Sequence, residues 1–506
     1  MKCERSGLFL VLSLIGVLPG CNRPATTPSG STSQTSPDVV IFLIDTLRAD
    51  RLHCYGYEKL TSPKIDELAA EGVVFEWASS PAPWTLPSTV SLMLSTYLAE
   101  HRVIVDRDMI DPRSSPLAER LKRVGYATAS FWANPYAGPF SGLQRGFDHW
   151  RLQEVTDGQV MSDWLKLAAK ETPSKPLFTY IHNTEPHDPF VVADRFVKPF
   201  GFVAPDARAV IHRNVDAYRK LGRLDFEVGR APGTYDNSAE QKTAMGELRE
   251  SRYDYDALYD ASVLAADENV GSVMDALRQA GRWENTLFIL VADHGEEIDD
   301  HGGWQHDQSL YEELVHVPLI VRFPKKQHAG LRISTPVSLI DVAPTILGFV
   351  QHGELVDGMR GQSLLACLTR PAEPEKPRVV SMRQNKKKYY KPYKEKRGDL
   401  NVAIRNGHWK GIWNIEPDTF ELYDLAADPH EKNDLSTVKP EIAGPLLKAA
   451  REQFAGFSAA PMKPGLATRD SIDADSRRAL GAMGYVSRDD PEATTQPANT
   501  QPAAKP

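Results

Sequence analysis

The 506-residue chain has little cysteine, no excess of positive charge and, past its first twenty residues, no long hydrophobic run. Each shortage excludes something. Of the four cysteines, Cys3 and Cys21 lie in the first segment, which leaves Cys54 and Cys367. Those two can pair in an oxidising compartment, but neither spacing nor neighbours require it, and two isolated thiols are expected. A net charge of -8, from 59 basic and 67 acidic residues, argues against a general nucleic-acid binder. Without a second apolar run, nothing after the leader is long enough to cross a bilayer. What remains, 41% hydrophobic and 25% charged, is ordinary globular composition. The length exceeds the usual single domain of about 100 to 200 residues, so a large core plus a smaller dependent module is expected.

Lys2 and Arg5 precede an apolar run from Gly7 to Gly20, which has the charge and length of a signal-peptide core. Leu18-Pro19-Gly20-Cys21 resembles a bacterial lipoprotein signal, with Pro19 an unusual member. In that reading residues 1–20 are removed and Cys21 becomes the lipidated first residue. An ordinary signal peptide is the alternative. Residues 21–37, rich in Pro, Thr, Ser and Gly, read as a disordered tether.

DVVIFLI (Asp38 to Ile44) is a short, continuous, β-branched apolar run, the pattern of a strand buried on both faces. Ser62, Pro63 and Gly72 mark the start and stop of a helix. A helix over Leu117 to Val124 and strands near Ala127 to Trp132, Leu177 to Ile181 and Thr286 to Val291 continue the alternation, which predicts an α/β core with a covered sheet. Residues 38–375 form this expected core, with a polar insertion at about 195–252. Residues 376–460, with VVSMR, LNVAIRN, HWKGIWN and FELYDL before a helix near Glu441 to Phe454, predict a small antiparallel sheet. The run KKKYYKPYKEKR (Lys386 to Arg397) reads as a solvated loop or a contact for anionic lipid or polysaccharide. Residues 461–506 are a tail, low in complexity after 487.

Several segments place reactive residues at predicted strand or helix ends, where open α/β sheets build their sites. Asp45 ends the first strand, though a lone Asp there also serves as a cap. Thr85, in PWTLPSTVSLMLS, stands at a helix start, where free N–H groups favour a developing anion. It also reads as an N-cap. TLFILVADHGEEIDDHGGWQH carries Asp293 and His294 at a strand end, then His301 and His306. Carboxylate and imidazole together suit a divalent transition metal. FTYIHNTEPHDPF adds His182, His187 and Asp188, of which His182, inside the strand, fits a core role.

Taken in order, IDTLRADRLHCYGY, the T-x-P-S segment, PHDPF, DHGEE, SLYEELVHVPLIVRFP, SLIDVAPTIL and ELYDLAADP resemble the sulfatase family of the alkaline phosphatase superfamily, from Asp38 to about Leu435. The resemblance implies an alkaline-phosphatase-like sandwich with a mainly parallel central sheet and a small C-terminal antiparallel sheet. The departures are specific. The family signature is C/S-x-P-S-R, its first residue oxidised to formylglycine; here Thr85 and Thr89 stand at its first and last positions. Thr46 replaces the second of two adjacent aspartates, and His306 stands where many members have lysine.

These changes resemble the superfamily's threonine-nucleophile members. Carried over, Asp45, Thr85, Asp293 and His294 would bind a divalent metal, Zn2+ or Mn2+ ahead of Ca2+, with one or two ions per chain. Thr85 would attack, while His187 and His306 would contact the transferred group or help hold a second ion. The expected activity is hydrolysis of phosphoric or phosphonic esters of a small molecule, lipid headgroup or glycan. The expected place is the bacterial envelope, lipid-anchored and facing the periplasm. Alternatives are a sulfuric ester hydrolase, a phosphoethanolamine-type transferase and a degenerate envelope-binding protein.

Overall fold

Strand placement follows from burial. The computed structural model describes residues 36–105, 108–153, 157–188, 190, 192–201, 252–369, 376–384 and 400–466. The signal segment with Cys21, most of the tether, most of the insertion, the basic run Lys386 to Arg397 and the tail beyond 466 lie outside them.

The central sheet has nine strands: β1 (Asp38–Ile44), β2 (Val73–Ser79), β3 (Ala127–Trp132), β4 (His149–Leu152), β5 (Leu177–Asn183), β6 (Thr286–Ala292), β7 (His316–Arg322), β8 (Leu331–Ile333) and β9 (Val337–Ser338). The order is β8-β2-β7-β6-β1-β5-β3-β4, with β9 also on β2. Only β7 runs against the rest. Every residue of β1, β5 and β6 is buried, so both faces of the sheet centre are covered.

The helices that position the site are α1 (Pro63–Glu71), α2 (Thr85–Leu94), α3 (Gly158–Glu171), α4 (Arg252–Gln279) and α5 (Val342–Phe349). Helices α1 and α3 pack on α4, whereas α2 packs with α5 and Leu117–Arg123. Helix α1 begins after Ser62 as expected, but the Ser62 side chain does not cap it. Asp267 of α4 accepts from Lys64 N and Ile65 N instead, at 2.8 and 2.7 Å. Among the described residues no helix is long and apolar enough to cross a membrane. Cys54 and Cys367 are free thiols.

The C-terminal sheet is a four-stranded antiparallel meander, β10 (Arg378–Gln384), β11 (Leu400–Asn406), β12 (Trp409–Asn414) and β13 (Thr419–Asp424), crossed by helix α6 (Pro440–Ser458). Period-two side chains explain its two faces. Val402, Ile404, Trp413 and Leu422 join Leu446 and Ala450 of α6. Ala403, Ile412 and Tyr423 pack on Leu310, Leu314 and Val315, just beyond the predicted metal segment.

Candidate metal and nucleophile site

Three neighbouring parallel strands end together. Ile44 is level with Ala292 on one side and Asn183 on the other, so Asp45 and Asp293 leave the sheet side by side. The next residue, Thr46, adopts φ 56°, a left-handed conformation that a β-branched residue takes at a cost of about 1–2 kcal/mol. It is held there from two sides. Tyr259 Oη donates to Thr46 O at 2.6 Å, and Thr46 N donates to Asp293 Oδ1 at 3.3 Å. Thr85 is the first residue of α2, a ten-residue helix with every residue buried and no side-chain cap at its N-terminus. Ser88 Oγ donates to Asp293 O at 2.6 Å, and Ser80 Oγ donates to the same oxygen, which fixes the helix start against the end of β6.

The side chains converge. Thr85 Oγ1 lies 3.3 Å from His294 Nε2 and 3.5 Å from Asp45 Oδ1. His294 Nε2 lies 3.5 Å from Asp45 Oδ1 and 3.7 Å from Asp293 Oδ2. Its Nδ1 faces Gly295 O at 2.8 Å; a carbonyl only accepts, so Nδ1 carries the proton and Nε2 presents a lone pair. Asn134 Nδ2 donates to Asp45 Oδ2 at 3.0 Å. All four predicted ligands are fully buried.

Charge is not balanced within this group. Burial raises the Asp45 carboxyl, but His187, His182, His294 and the Asn134 amide outweigh it and hold Asp45 below its ordinary range. Burial drives Asp293 well above its ordinary range, and the neighbouring Asp45 charge adds to that. Among the described residues no lysine or arginine pairs with either carboxylate, and Asp293 Oδ2 accepts no hydrogen bond. Two carboxylates, an imidazole lone pair and a hydroxyl at these separations fit a divalent cation. Asp45, Asp293 and His182 also offer donor atoms all within 4.8 Å of one another.

His306 and His187 stand beside this group. Their Nε2 atoms are 3.3 Å apart, and the His306 ring centre is 4.6 Å from that of His294. His187 Nδ1 donates to Asp188 O at 2.6 Å, so the shared proton comes from His306 Nε2. His301 is elsewhere: it stacks on Tyr311 at 3.8 Å and pairs with Glu313 on the side of the C-terminal sheet. His182, read from sequence as a core histidine, is buried in β5 with Nε2 3.6 Å from Asp45 Oδ2. Sequence reading gave no role to Asn134, Arg48 or Tyr259. Buried Arg48 ties the loop after β1 to the loop after β6 through Glu296 O at 3.1 Å and Asp300 at 2.9 Å.

Against known proteins, a model described as Sulfatase matches residues 37–352, and one described as N-sulphoglucosamine sulphohydrolase, C-terminal, matches residues 300–450. The chain belongs to the sulfatase family. An N-acetylglucosamine-6-O-sulfatase of Bacteroides thetaiotaomicron is 24% identical over 86% of this chain and 88% of its own. A multifunctional alkaline phosphatase superfamily protein of Trinickia caryophylli is 24% identical over 66% of this chain and 77% of its own. The structure of a phosphonate monoester hydrolase of Agrobacterium radiobacter superposes with a TM-score of 0.61 at 20% identity, covering 84% of this chain and 95% of that one. The sulfatase-family chain is thus an ester hydrolase of the alkaline phosphatase superfamily, with a candidate site for a divalent metal.

Proposed function

We propose that this sulfatase-family chain hydrolyses phosphoric or phosphonic esters with Thr85 as nucleophile and with Zn2+ or Mn2+ held by Asp45, Thr85, Asp293 and His294. The observation that carries the reading is the Thr85 hydroxyl, 3.3 Å from a lone pair on His294 Nε2 and 3.5 Å from Asp45 Oδ1. Both neighbours present lone pairs toward the same point as Oγ1, as ligands of one cation would, and a bound cation would lower the pKa of the Thr85 hydroxyl. A divalent cation, when bound, supplies Lewis-acid stabilisation of the threonine oxygen and of the substrate's oxygens. Thr85 Oγ1, its proton lost to water, forms a bond to phosphorus as the bond to the leaving oxygen breaks and that oxygen takes a proton from water; a second water then attacks phosphorus in line, the bond from phosphorus to Oγ1 breaks, and Oγ1 regains its proton. The proton shared by His306 and His187 stands ready for an oxygen of the transferred group. The Asn134 amide holds Asp45 in orientation.

The nucleophile favours phosphorus over sulfur. A formylglycine hydrate has a second hydroxyl that expels sulfate by elimination. Thr85 has one, and a sulfo-threonine would require water to attack sulfur. Family membership favours the sulfuric ester reading, and the substrate comparison below separates the two. On a purified, metal-loaded chain assayed with aryl phosphate, phosphodiester and phosphonate, Thr85→Ala should lose most turnover and Thr85→Ser should keep part. Undiminished turnover in Thr85→Ala would remove Thr85 from the mechanism. The substrate class, a small molecule, lipid headgroup or glycan, and the placement in the envelope through a lipid on Cys21 belong to the same proposal. Cys21→Ser should move the protein from membranes to the soluble fraction or block its maturation.

A further inference from the structure

One buried imidazole takes no part in this chemistry. His182 is fully buried, and neither ring nitrogen makes a hydrogen bond among the described residues. Leaving such a group unmatched costs about 1–3 kcal/mol, so the position calls for a partner. Its place in the sheet is specific. His182 is level with Leu43 on β1, which is level with Val291 on β6. Level residues on parallel strands, and residues two apart on one strand, share a face. His182 therefore lies on the face of Asp45 and Asp293, one pleat deeper. Tyr180, a further pleat down, and Ser130, level with it on β3, are buried on the same face, and their hydroxyls also lack hydrogen bonds among the described residues. The carboxylates thus have an outer side completed by Thr85 and His294 and an inner side lined by unmatched polar atoms. Asp45 serves both: Oδ1 faces Thr85 and His294, and Oδ2 lies 3.6 Å from His182 Nε2.

We propose that Asp45, His182 and Asp293 form a second, inner divalent-cation position, distinct from the outer position completed by Thr85 and His294, with both carboxylates shared between the two. An imidazole and shared carboxylates suit a transition metal. The proposal rests on the metal-centre reading above, but its test reads metal content rather than turnover, so either can fail alone.

The test is equilibrium dialysis of the metal-stripped chain against Co2+, with bound cobalt counted per chain. Wild type should hold two equivalents and His182→Leu one, while Thr85→Ala keeps the inner ion. A wild type that takes one equivalent, or a His182→Leu chain that still takes two, overturns the proposal. Because a buried substitution can impair folding, His182→Cys gives an independent reading. Its cobalt form should show a thiolate-to-cobalt charge-transfer band absent from wild type, and a cobalt-loaded, folded His182→Cys chain without that band also overturns it.

Discussion

Two buried charge clusters in this chain contrast sharply. Between the core and the C-terminal sheet, Lys410, fully buried, pairs with Glu312 at 2.7 Å and Glu431 at 2.8 Å, and Arg405 approaches Glu312 at 3.4 Å. Two cations meet two anions. Burial raises the Glu312 carboxyl, but Lys410 and Arg405 outweigh it and hold it below its ordinary range. At the ends of β1 and β6, Asp45 and Asp293 are equally buried, and among the described residues only histidines approach them as possible counter-charges. Burying charge is tolerated when it is paired and hydrogen-bonded. The first cluster meets most of that condition from its own side chains and reads as an anchor for the sheet, although burial and the Glu312 charge push the Glu431 carboxyl up to about 7 against Lys410. The second has no lysine or arginine among the described residues to meet it, and that imbalance marks it as a candidate metal site rather than a structural contact.

The largest effect expected from this contrast is on the unbalanced cluster. Asp293→Asn or His294→Ala should abolish metal binding and lower kcat/KM by at least about 10³-fold, with the fold retained. Metal-free Asp293→Asn should be no less stable than the metal-free wild type, because an uncompensated carboxylate is gone while the amide oxygen still accepts from Thr46 N and His294 N. Full metal occupancy, or a clear loss of melting temperature in the metal-free variant, would break the contrast. The balanced cluster should behave oppositely. Lys410→Met leaves Glu431 without its cation and Glu312 with Arg405 alone, and should cost about 3–5 kcal/mol by denaturant unfolding, with bound metal unchanged. Lys410→Met combined with Glu312→Gln and Glu431→Gln should recover part of that loss.

The effect that is absent at neutral pH and grows only on acidification concerns a neutral buried group, His101. Its Nδ1 accepts from Val103 N at 3.1 Å and its Nε2 lies 2.9 Å from Ser91 Oγ. Burial pushes the imidazole down to about 3, whereas the unfolded chain takes up that proton near 6.5. Between those values the unfolded state binds more protons. The His101 contribution is therefore complete above pH 6.5 and lost as pH falls toward 3, with a slope of about 1.4 kcal/mol per pH unit. In His101→Gln that part of the slope should vanish, as read by subtracting unfolding free energies at several pH values. An unchanged slope would mean His101 is protonated in the folded chain.

Much of this architecture was legible as sequence. DVVIFLI and ATASFW are strands β1 and β3 with the expected ends, because short runs rich in β-branched or aromatic residues and bounded by turn residues leave little choice. Strand β7 was harder, since Pro318 interrupts its ladder and its register with β2 shifts there. Strands β4, β8 and β9, of four, three and two residues, are too short to carry a pattern. The gathering of Asp45, Thr85, Asp293 and His294 follows from placing three segments at the same end of the sheet. His182 was harder to place. A signal existed in period two, which sets Tyr180 and His182 on one face of β5, but which face meets the carboxylates depends on register between distant strands. Asn134 and Tyr259 act through tertiary contacts, and no local pattern announces them.

The most direct test of the central claim is the ratio of kcat/KM for an aryl phosphonate or phosphate ester to that for the matching aryl sulfate, measured on one purified, metal-loaded preparation of the wild-type chain. A single threonine hydroxyl at a divalent cation predicts a ratio above one that collapses in Thr85→Ala. A preparation that prefers the sulfate ester would contradict it.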